Sequence, residues 1–223
     1  LRANLLAGYT QASRTLLADN VVALEQVLSD LFAKTIGFNV DLAIFNGDGV
    51  NKPKGMIQSP AVKSFARGNW ATNGVLLSNL AEADSYILPE EDMEGIWLMS
   101  PSMKKNLYPM TDASGKVVFI PNGSPVDGAT ARRPTMAVFG KSLFFSQLPA
   151  TAASSGSVNL VIPSAYALGM RQDIEIGASE HFAFTTNLIT YRFLTRVDGS
   201  SLVNSQLTLQ NGDVVSPFVT ITT

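Results

Sequence analysis

Apolar residues recur at helical spacing near the start of the chain. They fall at Val21, Leu24, Leu28, Leu31, Phe38, Leu42 and Phe45. Steps of three and four residues, with only Thr35 interrupting, place these side chains on one face of a helix. The sequence therefore predicts one long helix with a single buried stripe, capped by Asp19 or Asn20 and closed by a left-handed residue at Asn46-Gly47.

The next part of the chain predicts short elements of both kinds. Turn-forming residues crowd the stretch from Asn46 to Gly55, so a new structural layer begins after it. Leu76 to Asp92 is predicted to be partly helical, with Pro89 ending or kinking the helix. Ile96 to Met99 is predicted to be a buried strand, followed by a short helix that starts at Ser100-Pro101 and stops before Pro109. Further brief strands are predicted at Val117 to Ile120, Thr135 to Phe139, Ser142 to Ser146 and Val158 to Ile162.

The last third of the chain is rich in β-branched and aromatic residues. Ile174 to Ile176 predicts a strand, and Phe182 to Val197 predicts a second, unusually long one. Asp198-Gly199 is predicted to turn that strand back into Ser205 to Leu209 as a hairpin. The chain as a whole is predicted to be an α+β protein.

Composition narrows the functional classes. Of 223 residues, 46% are apolar and only 15% are charged, well below the roughly 25% charged residues of a typical soluble domain. Neutral surface is thus left to bury against neighbours. A formal charge of −2 argues against direct DNA binding. The apolar runs are too short to span a membrane, and the absence of cysteine excludes disulfides and thiolate metal sites.

Candidate catalytic groups are few. His181 is the only histidine, and no Gly-x-Ser-x-Gly elbow presents a serine to it. Glu90, Glu91, Asp92 and Glu94 could supply an acid/base pair, but a solvated helix end or loop is the favoured interpretation. Gly47-Asp48-Gly49 is interpreted as a helix-ending turn and not as a phosphate or calcium loop. The sequence therefore predicts no enzyme activity, no metal and no cofactor.

The order of these features resembles the capsid proteins of tailed bacteriophages. The similarity is most specific from Leu16 through the long helix to Asp41–Gly49 and Pro53-Lys54-Gly55. Trp97 to Pro101, with the short helix and the turn at Asp112 to Gly115, resembles that family's axial strand and helix. Val138 to Lys141, Leu148-Pro149 and the run from Phe184 to Gly199 continue the similarity through nearly the whole chain.

The resemblance implies the Hong Kong 97-like capsid fold. Its peripheral domain would hold the long spine helix and long antiparallel strands, and its axial domain would be mixed α/β. The expected bounds are 1–47 for the peripheral domain with the spine helix, 48–177 for the axial domain, 178–212 for the long peripheral strands, and 213–223 for a segment returning to the axial domain. The N-terminal arm and extended loop of the family are missing, and the opening at Leu1 predicts that an upstream portion has been removed.

The implied function is that of a major capsid protein, assembling with copies of itself into pentamers and hexamers of an icosahedral shell around DNA. Scaffold, maturation protease and portal proteins are further implied partners, with no specific nucleic-acid binding and no membrane. The protein would reside in the virion, and in the host cytoplasm during assembly. Many weak contacts would give a strong shell through multiplicity.

Subunit-interface residues are also expected from the resemblance. The long returning strand carries Arg192, Arg196 and Asp198, and some relatives form a lysine–asparagine bond near the position of Asn187. Leu194 stands where the promoting carboxylate belongs, so this cross-link is not predicted here. Apart from the resemblance, the sequence has two isolated basic pairs, Lys104-Lys105 and Arg132-Arg133, which are expected to meet acidic residues across subunit contacts.

Three alternatives remain open from the sequence. An encapsulin-like nanocompartment shell protein would share the fold and enclose proteins instead of DNA. A surface adhesin or carbohydrate-binding module is favoured by the short strands and the Ser/Thr/Asn-rich tail but opposed by the long helix. A hydrolase using His181 or the acidic cluster ranks last.

Overall fold

A computed structural model describes residues 2–15, 24–66, 77–110, 136–152 and 154–222. The chain forms two compact units: the helix unit, Leu1–Gly55 with Ala167–Ser200, and the sheet unit, Met56–Tyr166 with Ser201–Thr223. The helices are α1 (Leu24–Asn46), α2 (Leu77–Ser85) and α3 (Lys104–Leu107). Short 3₁₀ helices span Pro89–Glu94, Pro101–Met103, Pro163–Ala165 and Phe184–Thr186. The strands are β1 (Asn4–Ser13), β2 (Lys63–Ala66), β3 (Ile96–Met99), β4 (Met136–Val138), β5 (Lys141–Phe145), β6 (Val158–Val161), β7 (Tyr166–Ala183), β8 (Leu188–Ser201), β9 (Leu207–Thr208), β10 (Val214–Val215) and β11 (Phe218–Thr222).

The helix unit consists of α1 packed on a three-stranded sheet with the strand order β1-β8-β7. Strands β1 and β8 are antiparallel along their whole paired length, from Asn4 opposite Val197 to Ser13 opposite Leu188. Because side chains alternate across a strand, one face of this sheet is available to α1 and the other is not. The core forms where Phe32 of α1 meets Phe193 of β8, with ring centroids 5.2 Å apart.

The predicted helix is present, but its predicted buried stripe is wrong in part. Phe32 and Ile36 are the α1 side chains buried against the sheet, with Leu28 partly buried beside them. Leu31, Phe38 and Leu42, which the sequence assigned to the buried stripe, are exposed in the single chain. The helix therefore has two apolar faces, and the predicted stripe lies mainly on the one that the sheet does not cover. The predicted start at Val21 and its caps lie outside the described residues.

The helix ends at Asn46 as predicted, but for a different reason. Gly47 is not in the left-handed conformation; its amide donates to the carbonyl of Ala43 at 2.9 Å. A Cβ at Gly47 would lie 2.1 Å from the carbonyl oxygen of Pro53. A Cβ at Gly55 would lie 2.4 Å from the amide nitrogen of Gly47. Both glycines are required because two backbone segments touch after the helix.

The predicted hairpin at Asp198-Gly199 is wrong. Strand β8 runs straight through these two residues to Ser201, and Gly199 does not have a positive φ. The reversal lies earlier, where the 3₁₀ turn Phe184–Thr186 and Asn187 with φ 56° connect β7 to β8. The residues predicted as one strand, Phe182 to Val197, therefore belong to two paired strands with a turn between them. Asn187 makes this turn possible because asparagine tolerates the left-handed conformation.

The sheet unit is built on a mixed six-stranded sheet in the order β2-β11-β6-β3-β5-β4. The predicted strands at Ile96–Met99, 135–139, 142–146 and 158–162 are confirmed as β3, β4, β5 and β6 within one or two residues. Trp97 of β3 is fully buried, and its indole N–H donates to the carbonyl of Val138 at 3.2 Å. Strand β6 is buried at every position, as expected of a central strand between two layers.

The rest of the sheet unit follows the sequence less closely. The short helix after Ser100-Pro101 is confirmed, and Leu107 in it is fully buried. The predicted strand at Ser205 to Leu209 shrinks to β9, which pairs with β10 and not with β8. The predicted strand at Val117 to Ile120 lies outside the described residues.

Candidate assembly surfaces

The first candidate surface is the open stripe of α1, formed by Val27, Leu31, Phe38 and Leu42. These side chains are between 39% and 52% exposed. They lie on the helix face that turns away from Phe32 and Ile36, which pack on the sheet. Four large apolar side chains in a row along one helix face are more than the scattered single exposures usual on a monomer surface.

The second candidate surface is the face of the β1-β8-β7 sheet opposite α1. Leu5 and Tyr9 of β1 point to this side and are 59% and 75% exposed. A cavity of about 740 Å³ lies beside them, lined by Tyr9, Phe182, Arg192, Gly8 and Gly177 among others. The lining thus combines small residues with two aromatic side chains and one guanidinium. The helix unit thus offers open apolar surface on both of its sides.

Of the predicted interface residues, Arg192 lies on this second surface and Asn187 lies in the turn at the end of the same sheet. Arg192 is exposed and lines the cavity, on β8 opposite Tyr9. Asn187 is exposed at the end of the β7–β8 turn, and its carbonyl accepts a hydrogen bond from the amide of Arg14 at 3.1 Å. Their position is compatible with contacts to a neighbouring subunit, and that role stays a prediction.

Two other predicted residues act within the chain. The guanidinium of Arg196 donates to the carbonyl of Ala3 at 3.2 Å. The Asp198 carboxylate accepts from the amides of Gly199 and Arg2. Both side chains therefore fasten the beginning of β1 to β8. Arg132 and Arg133 lie outside the described residues, and the interface role of all four stays a prediction.

A buried ion cluster holds together three elements of the sheet unit. Lys141, the first residue of β5, has a side chain only 2% exposed, and its Nζ lies 2.5 Å from Asp84 of α2 and 2.7 Å from Asp92. Burial acts to lower the pKa of Lys141, but the hydrogen bonds to Asp84 and Asp92 and their negative charges outweigh it and raise the pKa above its ordinary value. The lysine is therefore an ionised anchor.

Two side chains of the acidic segment Pro89–Glu94 bind other parts of the sheet unit. Asp92 binds the buried lysine, and the Glu94 carboxylate accepts a hydrogen bond from the Ser164 hydroxyl at 2.6 Å. The Asp92 side chain is nevertheless 42% exposed, so it is a partly solvated group at a helix end that also binds Lys141. His181 is exposed on β7, as a surface histidine would be. Among the described residues, no group of three or more histidine or acidic side chains could hold a metal ion.

The glycine-containing turn after α1 is confirmed as a helix-ending turn. The Asp48 carboxylate accepts from the amide of Val50 at 2.9 Å and lies 3.2 Å from Lys52 Nζ. The pKa of Asp48 is lowered from its ordinary value, first by the hydrogen bond from the Val50 amide and next by the hydrogen bond from Lys52. Burial acts in the opposite direction, and its effect is smaller. This carboxylate thus stabilises its own turn.

In the described part of the chain, no helix has the length and apolarity needed to cross a bilayer.

Comparison with known proteins decides the family. The model of the phage capsid family matches residues 1–209. The chain belongs to the phage capsid family. Membership makes it a capsid shell protein and a structural component of the virion. No curated protein sequence matches the chain.

Solved structures of this family's fold match the chain along almost its entire length. A capsid of a native GTA particle, computed with C5 symmetry, has a TM-score of 0.74 at 17% identity, covering 98% of this chain and 72% of that one. Microbacterium phage Oxtober96 has a TM-score of 0.69 at 20% identity, covering 99% and 72%. The holo-SrpI encapsulin complex of Synechococcus elongatus PCC 7942 has a TM-score of 0.66 at 9% identity, covering 99% and 73%. The fold of this phage capsid protein is therefore the expected Hong Kong 97-like fold.

The sequence did not predict the Lys141 anchor, and it did not predict that the open stripe of α1 would be exposed. A single lysine at the start of a strand carries no periodic signal, because its two acidic partners are brought to it from other elements. The open stripe of α1 did have a signal. The apolar positions of the helix span more than one narrow face, since Phe32 and Ile36 lie outside the predicted stripe.

Proposed function

We propose that this chain assembles with copies of itself into pentamers and hexamers of an icosahedral shell that encloses DNA. The observation that carries the proposal is the family match over residues 1–209, joined to a fold shared along 98% of the chain with the capsid of a native GTA particle, computed with C5 symmetry. A closed shell of identical subunits requires contacts on several sides of each subunit. The helix unit has open apolar surface on two of its sides.

The energetic basis is the burial of neutral surface in many repeated contacts. Each exposed apolar side chain contributes about 25 cal/mol per Å² when a neighbour covers it. One such contact is weak, but a closed shell satisfies every contact of a subunit at once. A chain with only 15% charged residues keeps the electrostatic repulsion between copies small.

Within this proposal the helix unit corresponds to the peripheral domain and the sheet unit to the axial domain. The helix unit contains α1 with the long strands β7 and β8, which are the elements expected of the periphery. The changes between units at Gly55, Tyr166 and Ser200 would then replace the bounds expected from the sequence at 47, 177 and 212. Scaffold, maturation protease and portal remain partners of the proposed pathway, with assembly in the host cytoplasm and no enzyme activity in this chain.

A second candidate function is an encapsulin-like shell that encloses protein cargo. The fold similarity to the holo-SrpI encapsulin complex favours it, at a TM-score of 0.66 but only 9% identity. The family match favours the phage capsid. Nuclease-protected DNA inside purified particles supports the phage capsid, whereas particles that contain a protein and no nucleic acid support the encapsulin.

The test of the proposed function is assembly itself. The protein is expected to form rings or closed particles in negative-stain and cryo-electron microscopy, and to sediment far faster than a 23.8 kDa monomer. A protein that stays monomeric at high concentration in the presence of its scaffold would contradict the proposal.

The open stripe of α1 gives a prediction with a matched control. Leu31→Gln combined with Phe38→Gln is expected to change the free energy of unfolding by about 0.5 kcal/mol or less per site, because both side chains are exposed in the subunit. Particle yield is nevertheless expected to fall sharply, because the polar amides would have to be desolvated in a contact. Unfolding by urea and sedimentation velocity measure the two quantities.

The control variant lies on the opposite face of the same helix. Ile36→Ala removes a side chain that is 3% exposed, and it is expected to destabilise the helix unit by about 2–5 kcal/mol. If the exposed pair destabilised the subunit as much as Ile36→Ala, the stripe would be part of the subunit's own core and not an assembly surface.

A further inference from the structure

The hairpin that joins β4 to β5 contains an unusual residue at its turn. Val138 and Lys141 close the hairpin as paired residues, and both are buried. The two residues between them, Phe139 and Gly140, have φ angles of 50° and 79°. Positive φ at both central positions defines a turn that strongly prefers Asn-Gly, Asp-Gly or Gly-Gly. Phenylalanine at the first position opposes this preference.

The chain solves the same backbone problem differently elsewhere. Three non-glycine residues in the part of the chain that the structure describes have a positive φ, and the other two are Asn51 and Asn187. Asparagine adopts the left-handed conformation readily because its short polar side chain can bond locally, whereas a bulky aromatic residue there is a true outlier. Phe139 is thus the one position of the three at which the residue type is not explained by the turn.

Packing within the subunit does not explain Phe139 either. Its side chain is 45% exposed, whereas the flanking Val138 and Lys141 are 2% and 3% exposed. Phe139 thus destabilises the isolated subunit in two ways: its backbone conformation is strained, and about half of its apolar surface is exposed to solvent. Strained conformations of this kind persist mainly at positions where the strain has a functional use.

We propose that Phe139 is a subunit contact, its ring packing against a second copy of this chain. This inference rests on the proposed function, because a shell subunit is always surrounded by copies of itself. A tight turn presents the ring at the end of a hairpin, where another molecule can reach it. Burial in that contact recovers the apolar surface that the single subunit leaves open.

The decisive variant is Phe139→Asn, which makes the turn Asn-Gly. It is expected to raise the melting temperature of the unassembled subunit by about 2–4 °C, because relief of the strained turn outweighs the loss of packing by a residue that is 45% exposed. It is also expected to raise the protein concentration needed for assembly by about tenfold or more, since each subunit loses a buried aromatic ring. Differential scanning calorimetry and light scattering against concentration measure the two effects.

Three further variants separate strain from contact. Phe139→Tyr keeps both the ring and the strained turn, so assembly is expected to stay within about twofold of the wild type. Asn51→Gly relaxes a left-handed position that carries no apolar side chain, so it is expected to leave the assembly concentration unchanged. A benzoylphenylalanine placed at position 139 keeps an aromatic side chain, and it is expected to form cross-links between subunits when assembled particles are irradiated.

The outcomes also distinguish this inference from the proposed function. If wild-type protein forms particles and Phe139→Asn forms them at the same concentration, the contact is overturned and the shell function stands. A lower melting temperature for Phe139→Asn would mean that the ring packs within its own subunit, which also overturns the contact. If wild-type protein never assembles, both proposals fall together.

Discussion

Replacing both Asp84 and Asp92 by asparagine is expected to lower the free energy of unfolding of the sheet unit by about 3–5 kcal/mol. The Lys141 side chain is 2% exposed, and these two carboxylates are its ion-pair partners at 2.5 and 2.7 Å. Without them an ammonium group stays buried with no compensating charge, which is far less favourable than a carboxylate left near the surface. Urea unfolding followed by the fluorescence of the buried Trp97 measures the change.

The matched variant removes the lysine and keeps the acids. Lys141→Met fills the same space with an apolar chain and leaves Asp84 and Asp92, whose side chains are 28% and 42% exposed, free to become hydrated. Its effect is therefore expected to be smaller, about 1–2 kcal/mol. A loss from Lys141→Met as large as that from the double asparagine variant would show that the acids, and not the buried ammonium, dominate the cluster.

The same cluster predicts a pH dependence at the alkaline end. The pKa of Lys141 is raised in the folded chain above its ordinary value of 10.5. A raised pKa means that the folded state holds the proton more tightly, so this contribution is fully present below pH 10.5 and is lost as the pH rises through the folded value. The difference in unfolding free energy between the wild type and Lys141→Met is expected to be constant around neutral pH and to shrink above pH 10.5.

Local sequence signals predicted those elements whose determinants lie next to each other in the chain. The apolar run Ile96–Met99 and the following Ser100-Pro101 predicted a strand and helix that the structure confirms. Proline fixes its own φ and glycine or asparagine permits unusual values, so turns near these residues can be located from sequence. The α1 helix is also confirmed, because 23 residues of helical spacing provide a strong signal.

Features that depend on distant partners could not be predicted in this way. Asp198-Gly199 has the sequence of a turn, but β8 continues through it because the amides of Gly199 and Arg2 bind the Asp198 carboxylate and Lys54 donates its amide to the carbonyl of Gly199. Tertiary hydrogen bonds thus override a local preference. The face of α1 that becomes buried was likewise decided by the sheet it meets.

The candidate assembly surfaces also combine a feature that the local sequence predicts with one that depends on a partner. An apolar residue on a helix indicates burial, but the sequence does not state whether the subunit or its neighbour buries it. Leu31 and Phe38 were therefore assigned to the subunit core although they are open in the single chain. For a capsid protein, an error in this direction is informative, because a residue that is apolar by pattern and exposed in the subunit is a candidate for contact with another copy.

Gly55→Ala is expected to destabilise the helix unit by about 2–3 kcal/mol. The added Cβ would lie 2.4 Å from the Gly47 nitrogen and 2.7 Å from both the Asn46 nitrogen and the Phe45 carbonyl oxygen. All three atoms belong to the backbone at the end of α1, so no flexible side chain can move aside to relieve the contact. The chain after the helix would have to shift, and the hydrogen bond from the Gly55 amide to the Gly47 carbonyl, now 2.8 Å, would be broken or lengthened.

Gly37→Ala is the control, because it makes the same chemical change inside the same helix. Apart from the adjoining backbone of the helix itself, no atom lies within 4 Å of a Cβ built at Gly37, so the substitution is expected to stabilise the helix unit by about 0.5–1 kcal/mol. The loss of helical circular dichroism in urea measures both variants. Changes of opposite sign would show that Gly55 is kept for close backbone contact, whereas a stabilising Gly55→Ala would mean that the segment after α1 does not pack on the helix end in solution.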